Sequence, residues 1–164
     1  MVSFGAGGLA SPHTGLFYIS TWEDVGGAIQ GVPVEYKEGQ RFTGGPIVLT
    51  PAPNSTRSGP INTYTEAAGH GAVIAVDPQT GEKKWSFDMH DVNTSGILST
   101  ASDLLFVGGR EGYFQALNAN SGVLLWKENL GGEIAAAPIT YQVNGKQYVV
   151  IASGNALFAF ALRK

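Results

Sequence analysis

The stretch VDPQTGEKKW, residues Val76–Trp85, is followed 41 positions later by LNANSGVLLW, residues Leu117–Trp126. The two copies share further residues at the same spacing, namely Gly71 with Gly112, Ala75 with Ala116, Gly81 with Gly122 and Trp85 with Trp126. Self-similarity at a fixed period is typical of repeat proteins, in which each repeat buries its apolar face against the next one. The repeat is therefore the strongest evidence for the fold in this sequence.

Each copy predicts a β-hairpin, because two short β-rich runs flank a five-residue turn at 77–81 or 118–122. An Asp or Asn at the start of such a turn can bond to backbone N–H groups two residues on, and a Gly at its end adopts positive φ without steric cost. Upstream of the second hairpin, residues 97–100 and 104–107 predict two more strands. The segment 96–129 is therefore expected to be a four-stranded antiparallel meander.

Four-stranded sheets that repeat every 40 to 50 residues are typical of β-propeller blades. The sequence predicts one domain over 1–164, an all-β partial β-propeller of about three four-stranded antiparallel blades with tryptophan-docking repeats. Blade one is assigned to 9–20 and 70–88 around a loop insertion at 21–69, blade two to 96–129, and an incomplete blade three to 134–162. Blade three has only three predicted strands, two of which are joined by the turn-forming pair Asn144-Gly145.

The repeated tryptophans, Trp85 and Trp126, are expected to be buried between neighbouring sheets, with Gly81 and Gly122 shaping the turns. A partial propeller leaves apolar sheet faces and an open strand edge, which invite pairing with another chain. We therefore expect a homo-oligomer, most simply a two-fold dimer.

The composition excludes several classes of partner and cofactor site. The chain has no Cys, only 14% charged residues and a net charge of -3, so neither a thiol metal site nor a nucleic-acid-binding basic stripe is predicted. No apolar run approaches the roughly 20 residues that span a bilayer, and the N-terminal residues lack the features of a signal peptide. No small-molecule substrate can be named from these observations.

The pattern A-x-D-x-x-T-G-x-x-x-W, formed by Ala75, Asp77, Thr80, Gly81 and Trp85, resembles the tryptophan-docking repeat of quinoprotein alcohol and methanol dehydrogenases. Segments 11–20, 96–132 and 138–154 resemble the C-terminal blades of the same family. The resemblance implies pyrroloquinoline quinone (PQQ) and calcium as family cofactors and a periplasmic location.

Within this chain, the resemblance implies that only Ser95 and Gly96 correspond to residues that line the cofactor site. It also implies that the catalytic Asp, the calcium ligands, the vicinal disulfide and the basic residue at the quinone belong to blades that this chain lacks. The predicted function is accordingly a truncated quinoprotein dehydrogenase-like propeller module that binds no PQQ and has no dehydrogenase activity alone. A fragment of a PQQ-dependent alcohol dehydrogenase that is active only in assembly is a further alternative.

A different alternative is a calcium-dependent hydrolase of esters or lactones. Asp88, Asp91 and Glu66 supply the oxygen ligands that calcium prefers, and His90 with Asp91 would be the catalytic groups acting on a metal-activated water. Glu66 and His70 also have the spacing of helical metal ligands, although the glycine between them makes a helix improbable. A plain polar loop between blades explains the same residues.

Overall fold

The computed structural model describes residues 8–23, 35–40, 70–89 and 93–162. These residues form eleven β-strands, arranged in three antiparallel sheets, and contain no helix. The all-β fold class and the partial propeller predicted from the repeat are therefore confirmed. Within the described part of the chain, no helix has the length and apolar character needed to cross a membrane.

Sheet one contains β1 (Gly8–Ala10), β2 (Phe17–Glu23), β3 (His70–Val76) and β4 (Lys83–Asp88), which lie side by side in that order. Strand β2 continues three residues beyond the predicted end at residue 20, since Thr21–Glu23 pair with the beginning of β3. The predicted insertion is thus shorter at its start than the sequence suggested. Between β2 and β3, only residues 35–40 are described, and they form no strand.

Sheet two contains β5 (Ile97–Ser99), β6 (Leu104–Gly108), β7 (Tyr113–Asn118) and β8 (Leu124–Asn129), again in sequence order. Its register reproduces that of sheet one. Ala75 lies opposite Trp85 and Ala116 opposite Trp126, and in both sheets the register shifts immediately after the alanine. The sequence repeat is therefore also a repeat of strand pairing.

The turns between the third and fourth strands form by the bonds that their sequences predict. The side-chain oxygen of Asp77 accepts bonds from the backbone N–H groups two and three residues later, at 2.9 and 3.3 Å, and Asn118 does the same at 2.9 and 3.1 Å. Gly81 and Gly122 end these turns with φ of 74° and 72°. The bond from the backbone N–H of Gln79 lowers the pKa of the Asp77 carboxyl, which stays ionised and acts as an acceptor.

Sheet three has three strands, β9 (Ile139–Val143), β10 (Lys146–Ser153) and β11 (Ala156–Phe160), with β10 in the middle. Asn144 and Gly145 join β9 to β10 with φ of 50° and 76°. Positive φ at both positions is the requirement of the tight hairpin turn that the Asn-Gly pair predicts.

Two hydrophobic clusters hold the three sheets together. We call the contact between sheets one and two the first seam, and the contact between sheets two and three the second seam. The first seam is formed by the buried residues Tyr18, Val73, Ala75, Leu105, Val107, Leu117 and Ala119. The second seam is formed by Phe114, Ile134, Val149 and Ile151, with Phe106, Phe158 and Phe160 packed against them. The sheets are therefore joined face to face by core packing.

Candidate functional site

The first seam is centred on one backbone carbonyl. The Ala119 oxygen, in the turn between β7 and β8, accepts a bond from the Tyr18 hydroxyl and another from the Trp85 indole N–H, both at 3.0 Å. The Tyr18 and Trp85 rings lie 5.7 Å apart between centroids. Two donors from sheet one thus converge on a single acceptor in sheet two.

Because Gly122 has no side chain, the Trp85 ring can pack directly against that turn. A Cβ atom at Gly122 would lie 2.6 Å from the nearest ring carbon of Trp85, whereas nothing lies within 4 Å of the equivalent position at Gly81. Both glycines adopt positive φ. Gly122 is therefore required twice, once for the turn and once for the ring above it.

Tyr18 is completely buried, and its hydroxyl also lies 2.6 Å from the Thr14 Oγ1 atom. Burial raises the pKa of this phenol, so it stays neutral and keeps the proton that it donates to Ala119. The phenol is thus fixed by hydrogen bonds at the seam.

An exposed pair of side chains, His13 and Asp103, adds a hydrogen bond between sheets one and two. His13 Nδ1 lies 2.6 Å from Asp103 Oδ1, which joins the β1–β2 connection to the β5–β6 turn across 90 residues of sequence. The His13 bond lowers the pKa of the Asp103 carboxyl. The sequence gives no sign of this pairing, because Asp103 lies 90 positions from His13 in the chain.

Trp126 does not have the environment of Trp85, and the prediction that it is buried is wrong. The residue is 38% exposed, and its ring centroid lies 6.1 Å from that of Phe114 and 5.4 Å from that of Phe160. Trp85 lies on a turn of the next sheet, but the described residues contain no turn beyond β11 on which Trp126 could lie. Without that surface one side of the ring remains in solvent.

A partly buried segment, residues 93–96, links sheets one and two and reaches the segment that precedes β9. Asn93 Nδ2 donates to Ser20 Oγ at 3.2 Å, and the Ser20 hydroxyl donates to the Ser95 carbonyl at 3.3 Å. The Trp22 indole N–H donates to the Asn93 carbonyl at 2.7 Å. Ser95 Oγ donates a hydrogen bond to the Ala136 carbonyl at 3.0 Å, in the segment that leads into β9.

The Ser95 hydroxyl proton is already engaged and is not free to bind a ligand. It is fully buried, accepts a bond from the Gly108 N–H at 3.1 Å and lies 2.9 Å from the Gly96 carbonyl. A Cβ on Gly96 would lie 2.6 Å from the Cβ of Ala137, so the glycine permits close packing of the second seam. The arrangement fits an inter-sheet bridge, and the predicted contact of Ser95 and Gly96 with a cofactor stays a prediction.

One polar atom in this segment was not anticipated from the sequence. Thr94 Oγ1 is buried and has no hydrogen-bond partner. An unpaired buried hydroxyl is costly, typically by about 1–3 kcal/mol. Only the tertiary structure identifies it, since the sequence shows simply a polar triplet between two strands.

The residues of the hydrolase alternative are mostly not in the described part of the chain. Asp88 is exposed at the end of β4, where its carboxylate accepts a bond from the Ser86 hydroxyl at 3.4 Å. Glu66, His90, Asp91 and the side chain of His70 lie outside the described residues. Among the residues that are described, no three His, Cys, Asp or Glu side chains are grouped to hold a metal. Only Asp88 of this set is described, so the metal ligands and the proposed His90 and Asp91 chemistry stay predictions.

Residues 69–164, more than half of the chain, match the family described as outer membrane protein assembly factor BamB, of the PQQ type. The chain therefore belongs to this family of PQQ-type β-propeller repeat proteins.

The similar curated proteins include quinoprotein alcohol dehydrogenases and methanol dehydrogenases, which confirms the resemblance noted in the sequence. The chain is 34% identical over 144 residues to a lanthanide-dependent methanol dehydrogenase of Methylorubrum extorquens, covering 88% of this chain and 22% of that protein. It is 30% identical over 141 residues to the quinoprotein alcohol dehydrogenase PedH of Pseudomonas putida, covering 86% and 21% respectively. The chain thus spans about a fifth of the length of these relatives.

Solved structures show the same relation. A europium-containing methanol dehydrogenase matches with a TM-score of 0.64 and 28% identity, over 88% of this chain and 23% of that one. The quinohemoprotein alcohol dehydrogenase from Comamonas testosteroni matches in fold with a TM-score of 0.60 and 22% identity, over 90% and 21%. The three sheets therefore correspond to a portion of a larger propeller.

Proposed function

We propose that this chain is a propeller module of a quinoprotein dehydrogenase, which supplies consecutive blades but has no dehydrogenase activity alone. The observation that carries the proposal is the match itself, since 88% of the chain aligns with only 22% of a methanol dehydrogenase. The polar groups of residues 93–96 support it, because they join the sheets and leave Ser95 without a free donor. Catalytic groups that act as a unit leave little activity when most are missing.

In this proposal the metal and most contacts to PQQ come from residues outside the described ranges. Ser95 and Gly96 contribute to the cofactor wall through their packed backbone, and their position is fixed by Asn93, Ala136 and Ala137. The quinone, when bound in a complete propeller, would accept the electrons of the alcohol. The residues of this chain would hold the wall in place.

We also propose that Trp85 is the docking tryptophan of the first seam. Its bond to the Ala119 carbonyl and its contact with Gly122 support this role. Trp126 would take the same role once another turn covers its exposed side.

The test is an activity assay on purified chain that gives a cooperative thermal melt. PQQ is added with Ca²⁺ or a lanthanide ion, and alcohol oxidation is followed with an artificial electron acceptor. We expect no rate above the protein-free control, while the full-length dehydrogenase assayed in parallel is active. Oxidation that increases with chain concentration and requires both PQQ and metal would refute the proposal.

The same preparation tests the hydrolase alternative, which no structural observation favours. Calcium-dependent hydrolysis of an ester or lactone that is abolished by a chelator and by Asp91→Asn would establish it. An unchanged rate in Asp91→Asn would exclude the assigned role of that residue.

We further propose that the isolated chain self-associates. The outer face of sheet three exposes apolar side chains, among them Ile139, Tyr141, Val143 and Leu157, the last at 74%. Because exposed apolar faces of this kind mark interaction sites, a two-fold dimer is the simplest arrangement. Light scattering should give twice the chain mass of 17.2 kDa. A stable mass of one chain at micromolar concentration would contradict the proposal.

A further inference from the structure

The first seam contains a closed circuit of hydrogen bonds that begins at an exposed pair and passes through the core. His13 Nδ1 contacts Asp103 Oδ1, and the Asp103 carbonyl accepts a bond from the Ala119 N–H at 2.8 Å. The Ala119 carbonyl accepts a bond from the Tyr18 hydroxyl, which also contacts Thr14 Oγ1. Because Thr14 follows His13 directly in the chain, the circuit is complete.

Asp103 is the residue of this circuit whose conformation depends most on its partners. Its φ is 57°, in the left-handed region that residues other than glycine rarely occupy. Its N–H donates to the Thr100 carbonyl at 3.2 Å, and its carboxylate bonds to the side chains of His13 and Asn120. These bonds hold in place the backbone carbonyl that receives the Ala119 N–H.

The docked tryptophan is attached to the same circuit. The Trp85 indole N–H donates to the Ala119 carbonyl at 3.0 Å, beside the Tyr18 hydroxyl. Ala119 is therefore fixed through its N–H by Asp103 of sheet two and through its carbonyl by two side chains of sheet one. A change at the Asp103 carboxylate thus reaches Trp85 through a single residue.

Few titratable groups face Asp103 among the described residues. His13 approaches from the β1–β2 connection and Tyr18 from β2, and the β7–β8 turn contributes the neutral amide of Asn120. Burial raises the pKa of the Tyr18 phenol, and the nearby Asp103 charge adds to this effect. The hydrophobic cluster of the second seam contains no titratable side chain. A response to acid is therefore expected at the first seam and not at the second.

We propose that the His13–Asp103 pair is an acid-sensitive latch, which secures the docking of Trp85 while the carboxylate is charged and loosens the first seam locally once the carboxylate is protonated. The His13 bond lowers the pKa of Asp103 below its ordinary 3.8. The pair therefore stabilises the seam above that value, and this contribution is lost as the pH falls through the lowered pKa. Because an exposed pair adds little to global stability, the latch acts on local opening of the seam. The inference uses hydrogen bonds alone, so it is independent of the redox proposal.

The test is amide hydrogen exchange, followed by NMR in the full chain from about pH 5 to about pH 3 and corrected for the intrinsic pH dependence of exchange. The Ala119 N–H reports on the first seam and the Ile151 N–H, in β10, on the second. On acidification, the protection factor of Ala119 should fall relative to that of Ile151 by about two- to fivefold, the range that an exposed ion pair supplies. The Trp85 indole N–H should follow Ala119.

Two carboxylate variants assign the response. Asp103→Asn removes the titrating group and keeps a side chain that tolerates the left-handed conformation. Asp88→Asn removes an exposed carboxylate at the end of β4 and is the matched control. The pH dependence of the ratio between Ala119 and Ile151 should disappear in Asp103→Asn and persist in Asp88→Asn. An equal response of both amides in the parent chain, or an unchanged response in Asp103→Asn, would overturn the proposal.

A third variant tests the role of the imidazole. His13→Ala removes the bond that lowers the pKa of Asp103, so the midpoint of any remaining response should move to higher pH. The protection factor of Ala119 at about pH 5 should also fall towards the acid value of the parent chain. A midpoint and a protection factor that both match the parent would show that His13 is not part of the latch, and the proposal would be wrong.

Discussion

The two seams of this molecule use the same repeated tryptophan in different ways. At the first seam, Trp85 lies on Gly122 and donates to the Ala119 carbonyl, which it shares with Tyr18. At the second seam, Trp126 packs edge-on against Phe114 and Phe160 and is 38% exposed. Among the described residues, no acceptor is bonded to its indole N–H.

The difference shows that the contacts of a docking tryptophan depend on the turn of the next sheet against which it packs. The first seam combines apolar burial with hydrogen bonds to a carbonyl that would otherwise lose its contact with water. The second seam depends on apolar and aromatic packing and on the close approach of glycines such as Gly96. Substitutions at equivalent positions should therefore have unequal effects, which two comparisons test. Two further predictions test the hydrogen bonds of the first seam.

The largest difference is expected between Gly122→Ala and Gly81→Ala. Both force alanine into positive φ, which costs about 1–2 kcal/mol. Only Gly122→Ala also pushes a Cβ into the Trp85 ring, which adds about 1–3 kcal/mol of overpacking. Urea unfolding of the two variants measures the difference, and equal losses of stability would show that the ring is not held by this turn.

The next comparison is Trp85→Ala with Trp126→Ala. We expect a loss of about 3 kcal/mol or more in the free energy of unfolding for Trp85→Ala, and about 1–2 kcal/mol for Trp126→Ala because of its exposure. Thermal melts of both variants check the order. A larger loss at Trp126 would mean that the second seam carries more of the stability than its contacts indicate.

A smaller effect is expected from the two donors to Ala119. Tyr18→Phe and Trp85→Phe each leave the carbonyl one partner, and each lost bond should cost about 1 kcal/mol. Tyr18→Phe also loses the Thr14 contact, and Trp85→Phe also loses part of the packed ring. The double variant leaves the carbonyl without either donor, and its loss should exceed the sum of the single losses by about 1 kcal/mol. Tyr141→Phe, on an exposed tyrosine, serves as the control and should change stability by less than about 0.5 kcal/mol. Additive losses would argue against a shared acceptor.

The smallest effect is expected in the pH dependence of stability. The His13 bond lowers the folded-state pKa of Asp103 below its ordinary 3.8, so the carboxylate contributes stability above that value. This contribution is lost as the pH falls from about 4 through the lowered pKa. Stability measured between about pH 5 and pH 2 should therefore fall less steeply in Asp103→Asn than in the parent chain. Identical slopes would show that the exposed pair is not formed in solution.

Several features of the fold could be predicted from the sequence because they depend on neighbouring residues. The turns at Asp77 and Asn118 form from a side chain and the N–H groups two and three positions later, and the Asn144-Gly145 turn depends on two adjacent residues. The equal spacing of Ala75 and Trp85, and of Ala116 and Trp126, indicates that the two hairpins are equivalent, and the structure shows that each pair lies opposite one another.

Less of the candidate site could be predicted from the sequence. Ser95 was assigned to a cofactor wall from a family resemblance, but its hydroxyl bonds to the backbone of Ala136 and Gly108. The pairing of His13 with Asp103 joins residues 90 positions apart, and the convergence of Tyr18 and Trp85 on Ala119 joins three separate strands and turns. No local pattern encodes such contacts.

The sequence by itself thus determined the repeating unit of this protein, its turns and the position of each tryptophan within a blade, because these features are set by local hydrogen bonds and by strand periodicity. Only the tertiary structure decided what each tryptophan touches. Burial depends on the surface of the next sheet, which is present for Trp85 and incomplete among the described residues for Trp126. Two copies of one motif therefore have different energetic roles, since packing and desolvation belong to the pair of sheets and not to either sequence alone.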